Sequence, residues 1–271
     1  MAAFFRELLL ALALLVCIFA GRLPLCSCQS SNDTQWQSAT NGATWYGAPD
    51  GDGSDAGACG YGTLSSSPYG SSITAVNAPL FQDGAGCGVC YEIQCTNSGL
   101  CKSTPTTVVV TDLCPGGAWC DGSEPHFDLS GTAFSNLAVP GQEAALRTVG
   151  VLDPLLYMRV PCSYPAGTTI SFTVDPGSNS FWLALVIKYV GGPGDIQAVQ
   201  IQQAGDNSGW QSMTHNWGAN WMFQSTTGGP IQGPLSIRLA AKLDGQVAVA
   251  ENVIPAGYSN GATYSSSVQF A

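Results

Sequence analysis

Positive charge is scarce in this chain: 8 Lys+Arg stand among 271 residues against 18 Asp+Glu, a formal net charge of −10. A nucleic-acid-binding protein needs a basic face to displace phosphate counterions, so that class is excluded. Charge of either sign is sparse, at 10% of residues, while 45% are hydrophobic, which excludes a disordered chain. Beyond residue 28 no apolar run approaches the roughly 20 residues that a membrane-spanning helix needs. No internal repeat and no metal or nucleotide motif occurs, and no cofactor is expected. Cysteine stops at Cys162.

What is present begins with a leader. Arg6 supplies a positive start, and residues 8–20 form an uncharged apolar stretch of signal-peptide length. Cys26-Ser27-Cys28 offers small residues for cleavage before Gln29, and a site near Ala20 is the alternative. Residues 1–28 are therefore expected to be a secretory signal, and the protein to be secreted. Of 11 cysteines, Cys17, Cys26 and Cys28 lie in that leader, so eight remain. An even number in an oxidising compartment fits four disulfides, although 105 pairings are open. The Cys87-Gly-Val-Cys90 spacing is read as part of that framework rather than as a zinc site. Asn32-Asp33-Thr34 is an N-glycosylation sequon, and Asn32 is an expected glycan site.

The rest divides in two. All eight remaining cysteines fall between Cys59 and Cys162. Residues 29–165 hold 12 acids and 3 bases, and residues 166–271 hold 5 and 3. With Pro161 and Tyr164-Pro165-Ala166-Gly167 at the change, the expected division is an extension at 29–41 and domains at 42–165 and 166–271. Short runs at 168–175, 181–190, 196–203, 210–214, 235–242, 246–251 and 262–270, separated by turn residues, read as a β-sandwich. Alternation along 181–190 puts Phe181, Leu183, Leu185, Ile187 and Tyr189 on one face, with Trp182 and Lys188 on the other. In the first domain, strands are expected at 73–76, 90–95, 106–111 and 156–160, and short helices at 132–137 and 142–149.

Aromatic residues and carboxylates together suit polysaccharide: rings stack on pyranose faces, and carboxylates reach the edges. Asp112, at the end of an apolar strand, and Asp128, in His126-Phe127-Asp128, are candidates for the acid and base of an inverting glycosidase. Equally, Asp112 caps a turn before Cys114-Pro115, and Asp128 caps a helix beginning near Ser130.

Residues 42–271 resemble the plant β-expansins. The likeness runs through Gly42-Ala43-Thr44-Trp45-Tyr46-Gly47, Gly57-Ala58-Cys59-Gly60-Tyr61, Cys87-Gly88-Val89-Cys90-Tyr91-Glu92-Ile93-Gln94-Cys95 and His126-Phe127-Asp128-Leu129-Ser130-Gly131. Arg159-Val160-Pro161-Cys162, Gly194-Asp195-Ile196 and Trp217-Gly218-Ala219 continue it in the same order. The resemblance implies an all-β protein. Its first domain would be a six-stranded double-psi β-barrel similar to family-45 endoglucanases, and its second an immunoglobulin-like sandwich acting as a carbohydrate-binding module. It implies the bridges Cys59–Cys87, Cys90–Cys162 and Cys95–Cys101, and leaves Cys114–Cys120 as a fourth outside that framework. It places Thr44, Tyr46, Asp112 and Asp128 in a cleft, with Trp45 and His126 beside them, and Trp182 and Trp217 on a sugar-binding face, where alternation adds Lys188 as a further expected contact. Asp128 matches a general acid, while no carboxylate stands at the base position near Trp45-Tyr46-Gly47; Asp50, Asp52 and Asp55 are merely close in sequence. The implied activity is wall loosening without hydrolysis, on cellulose and xylan or arabinoxylan, with a monomer expected. An endoglucanase and a purely carbohydrate-binding defence protein are the alternatives.

Overall fold

The computed structural model describes residues 34–270 apart from Ser54, Asn97, Ser98, Asp206, Thr226 and Thr227. The leader at 1–28 and Asn32 lie outside the described residues. Seven strands form one sheet: β1 (Gln37–Ala39), β2 (Ala43–Tyr46), β3 (Ile73–Val76), β4 (Cys90–Cys95), β5 (Thr106–Leu113), β6 (Phe127–Ser130) and β7 (Leu155–Val160). Their order is β1-β7-β4-β5-β3-β6-β2. Six come from residue 42 onward and make the expected double-psi barrel; β1, from the extension, adds a seventh by pairing Gln37 with Tyr157. The sheet curls around Phe127, Leu129, Ile73, Ile93, Val108 and Leu155, all completely buried. Three short helices close it: α1 (Ala78–Phe81), α2 (Gly131–Ser135) and α3 (Glu143–Val149).

The remaining strands build a two-layer sandwich. They are β8 (Ser171–Val174), β9 (Trp182–Lys188), β10 (Ile196–Gln203), β11 (Gln211–Ser212), β12 (Thr214–Trp217), β13 (Asn220–Gln224), β14 (Leu235–Ala241), β15 (Val247–Ile254) and β16 (Thr263–Ser265). One sheet runs β11-β10-β14-β15 and the other β12-β13-β9-β8-β16. Leu183, Leu185 and Ile187 enter the core between them, as alternation requires. Phe181 does not: β9 begins one residue later, and Phe181 stays 52% exposed.

Four disulfides, Cys59–Cys87, Cys90–Cys162, Cys95–Cys101 and Cys114–Cys120, lie in the barrel half, the same four pairs named above. Cys90 and Cys162 are 72 residues apart, whereas Cys95–Cys101 and Cys114–Cys120 each span 6. Loop-closure entropy then gives about 4 kcal/mol for the long bridge and about 2 for each short one. Cys90→Ala/Cys162→Ala is therefore expected to lower the denaturation midpoint about twice as far as Cys114→Ala/Cys120→Ala, measured by chemical unfolding.

Barrel and sandwich are stitched together. Cys162 and Gly192 exchange backbone hydrogen bonds of 2.7 and 3.0 Å, and Ala219 N–H donates to the Cys59 carbonyl at 3.0 Å. Gly218 has φ +48°, and a Cβ there would stand 2.3 Å from the Ala58 oxygen, so glycine is required for the approach. Tyr61 stacks on Tyr69 at 4.5 Å, and Tyr69 packs in turn on Tyr164 and Tyr189. Burial pushes the phenols of Tyr61, Tyr69 and Tyr164 above their ordinary range, so they stay neutral. A buried ion pair completes the seam: Arg159 Nη2 on β7 lies 2.6 Å from Asp195 Oδ1 and also donates to the Pro193 carbonyl at 2.7 Å.

Candidate functional site: a row of polar residues across the barrel sheet

Register assembles the site. Thr44 on β2 pairs with Asp128 on β6, Asp128 pairs with Ala75 on β3, and Ala75 pairs with Asp112 on β5. Directly paired residues point to the same face, so Thr44, Asp128, Ala75 and Asp112 form one row across four strands. A bulge decides which residue of β5 takes part. Pairing runs from Thr74–Val110 to Ala75–Asp112, skipping Thr111, and this re-aims Asp112 onto the face of Asp128. Ala75 stands between the two carboxylates, whose Cα atoms are two strand spacings, about 9.6 Å, apart.

The hydrogen bonds in the row are specific. His126 Nδ1 lies 2.7 Å from the Asn41 carbonyl, and His126 Nε2 lies 3.0 Å from Thr44 Oγ1. Thr44 Oγ1 is in turn 2.7 Å from Asp128 Oδ1. A carbonyl only accepts, so Nδ1 carries a proton. Thr44 has a single hydroxyl hydrogen. When it goes to an ionised Asp128, Nε2 must be protonated and donate; when it goes to a bare Nε2, Asp128 must hold the proton. The two arrangements contain the same number of protons. Desolvation raises the Asp128 pKa, with Asp112 adding to the rise, while the Thr44 bond and His126 oppose it. The net effect is a rise, so the Asp128 carboxyl keeps its proton to a higher pH than a free aspartate does.

Asp112 has a different assignment. Its Oδ1 accepts from Ala58 N–H at 2.6 Å and Leu113 N–H at 2.8 Å, fixing the 57–60 loop to the end of β5. The helix-cap alternative for Asp128 does not hold, because Ser130 Oγ caps α2 by accepting from Ala133 N–H at 3.1 Å. Asp55 is exposed and accepts from Leu64 N–H at 3.0 Å. Tyr46 is on the same side of β2 as Thr44, and its hydroxyl rests over Gly53. Trp45, expected beside the cleft, departs from the group: alternation turns it to the opposite face, where Nε1 donates to the Arg147 carbonyl at 3.3 Å and the ring meets Phe134.

On the sandwich, Trp217 pairs with Asn220, Asn220 with Val186 and Val186 with Thr173, one row across the outer face of the five-stranded sheet. Trp182 stands on the same face of β9, four residues before Val186, so the two tryptophans are about 16 Å apart at Cα. Trp182 Nε1 points to Met222 Sδ at 3.1 Å, which holds the indole over the sheet. Trp217 is 43% exposed, and a Cβ on Gly60 would lie 2.6 Å from its ring. It therefore reaches the barrel loop that Asp112 anchors. Lys188 shares the face, but it does not serve as a free contact. At the end of β9 its Nζ donates to the Tyr61 carbonyl at 3.0 Å, and burial lowers its pKa. It belongs to the seam. Trp221 is core, while Trp210 carries the Arg238 guanidinium 4.9 Å above its ring. His215 Nε2 lies 2.8 Å from the Gly218 carbonyl, its hydrogen-bond acceptor.

One residue escaped the sequence reading. Trp119, in the Cys114–Cys120 loop, lies within 22° of parallel to His126, ring centroids 6.3 Å apart. The usable signal was an aromatic residue inside a short cysteine loop just before His126-Phe127-Asp128. Cys114, Cys120 and His126 also lie close enough to suggest a metal site, but the two sulfurs are joined and both imidazole nitrogens have partners. No helix among the described residues is long and apolar enough to cross a membrane.

Residues 170–255 match the family model of the expansin C-terminal domain, and residues 73–151 match a model described as lytic transglycolase. Putative expansin-B2 of Arabidopsis thaliana is 44% identical over 245 residues, covering 90% of this chain and 86% of its own. Expansin-B11 of Oryza sativa subsp. japonica is 46% identical over 239 residues, 88% of this chain and 79% of its own. Among solved structures, the apo expansin of Clavibacter michiganensis superposes with a TM-score of 0.62 at 24% identity, covering 88% of this chain and 98% of that one. A mutant of that protein in complex with cellohexaose gives 0.61 at 23% identity, covering 87% and 98%, and the two share the fold. The barrel, the sandwich and the extent of these matches place the chain in the β-expansin family, whose members loosen plant cell walls.

Proposed function

We infer that the protein is secreted and loosens the wall as a monomer, binding a β-linked glycan across two surfaces and separating it from its neighbour. Trp182 and Trp217 supply apolar platforms on the sandwich for pyranose faces, in line with the amphipathic character of indole. Trp217 hands the chain to the barrel loop at Gly57–Gly60, and the row from Asp112 to Thr44 supplies polar groups for hydroxyls and glycosidic oxygens. Cellulose is the first target, and xylan or arabinoxylan the second.

The observation that carries the non-hydrolytic reading is the engagement of Asp112. An inverting glycosidase needs a second carboxylate to activate water, and a base is worth about 10² to 10⁴ in rate. Here the other carboxylate on the row has one oxygen held by two backbone N–H groups. Asp112 thus has a structural duty in the loop, and no carboxylate stands at the base position near Trp45-Tyr46-Gly47. The test is mechanical: heat-inactivated walls under constant load should extend on adding the protein, with no new reducing ends. Release of reducing ends from soluble glucan, lost in Asp128→Asn, would establish an endoglucanase instead. Trp182→Ala should weaken retention on cellulose by about tenfold in a pull-down, as removal of a central aromatic anchor commonly does.

A further inference from the structure

The 114–120 loop is built to hold one side chain in place. Gly117 O accepts from Cys120 N–H at 3.1 Å and Asp121 N–H at 3.0 Å, and Asp121 Oδ2 accepts from Gly117 N–H at 3.0 Å. The Cys114–Cys120 bridge closes the loop, and Asn41 Nδ2 donates to the Trp119 carbonyl at 2.5 Å. The backbone at 119 is tied from both sides, yet the indole it carries is 39% exposed.

The place where this indole stands gives it a use. His126 lies two residues before Asp128 along the chain, so its imidazole sits beside the row on the same face, and it is fully buried. The Trp119 ring lies near-parallel to the imidazole, offset with centroids 6.3 Å apart, and Trp119 remains 39% exposed. Thr44 is bonded to the same imidazole at Nε2, and Asp128 is bonded to Thr44. An apolar plate beside a hydroxyl and a carboxyl matches a ring that is apolar on its faces and polar at its edges. An aliphatic or lipid ligand would gain nothing from those polar neighbours.

We propose that Trp119 is the stacking platform of a pyranose subsite beside His126, flanking the barrel row, and binds one sugar of a β-linked glycan. The subsite rests on the glycan-binding reading above and deepens it. It adds a fixed aromatic contact on the barrel to those of the sandwich. The Cys114–Cys120 bridge closes the loop that carries it.

The test reads residue 119 directly. In full-length protein labelled with 5-fluorotryptophan, the fluorine resonance that disappears in Trp119→Phe belongs to residue 119, and that of Trp182 is assigned in the same way. On titration with cellohexaose the Trp119 resonance should shift and saturate. Trp119→Ala should lower wall extension roughly five- to tenfold, with Trp119→Phe retaining most of it, and neither should move the thermal midpoint. A Trp119 resonance that stays in place while that of Trp182 saturates would overturn the subsite alone. If neither moves, the glycan-binding reading falls with it. Trp119→Leu with full extension activity would also overturn the proposal, because bulk rather than the aromatic ring would then suffice.

Discussion

Asp195→Ala should lower the unfolding free energy by about 3–5 kcal/mol, because it leaves the Arg159 guanidinium buried without its counter-ion. The two side chains are 9% and 2% exposed, so solvent cannot replace the lost partner. In a chain of this size the loss corresponds to a fall in the thermal midpoint of roughly 10 °C, read by calorimetry. Arg159→Met/Asp195→Leu removes both charges while keeping volume, and should recover most of the loss. A single substitution that leaves the midpoint within 2 °C, roughly half a kcal/mol, would remove the ion pair from the account of the seam. The pair joins β7 of the barrel to the loop before β10, so its loss should loosen the two halves before either core melts.

Asp128→Asn should do the opposite to stability while impairing function. The carboxamide it introduces can still accept from Thr44, but it cannot ionise. Since the folded state raises the Asp128 pKa, the carboxyl binds a proton more readily in the fold than in the unfolded chain. Its contribution to stability is complete below the unfolded value of about 3.8 and is lost as pH rises through the folded value. The substitution should therefore be neutral near pH 3.5 and stabilising at pH 7. Wall extension should fall about tenfold or more in the same variant. Equal stability gains at both pH values would disconnect the gain from ionisation. Retained extension would remove the proton on Asp128 from the mechanism.

The sequence carried the parts of the fold that repeat a pattern. The strands β3, β4 and β10 fall at the residues where alternation and turn signals put them. The strands β2 and β6 were not read as strands, since each has four residues and β6 runs straight into a capped helix. The hairpin of β12 and β13 was hidden for another reason: residues 214–217 are partly or wholly exposed and lack an apolar alternation. The carboxylates of the site were legible as candidates, but their arrangement was not. That Asp112 rather than Thr111 faces the cleft depends on a bulge in pairing between distant strands. The removal of Trp45 from the cleft follows from simple alternation once β2 is known to be a strand. Lys188 was placed on the correct face, but the barrel carbonyl that takes its Nζ lies 127 residues away.

The loop at Ala58 and Cys59 has a mechanical consequence. The amide of Ala58 is held by the Asp112 carboxylate, and the carbonyl of Cys59 by the amide of Ala219 in the sandwich. Cys59 is also bonded to Cys87, which prevents the segment from sliding. Two adjacent residues thus link the polar row to the sheet that presents Trp217. Tension from a polymer pulling on the sandwich has a path of two peptide units to the cleft, with no flexible linker in it to absorb the strain.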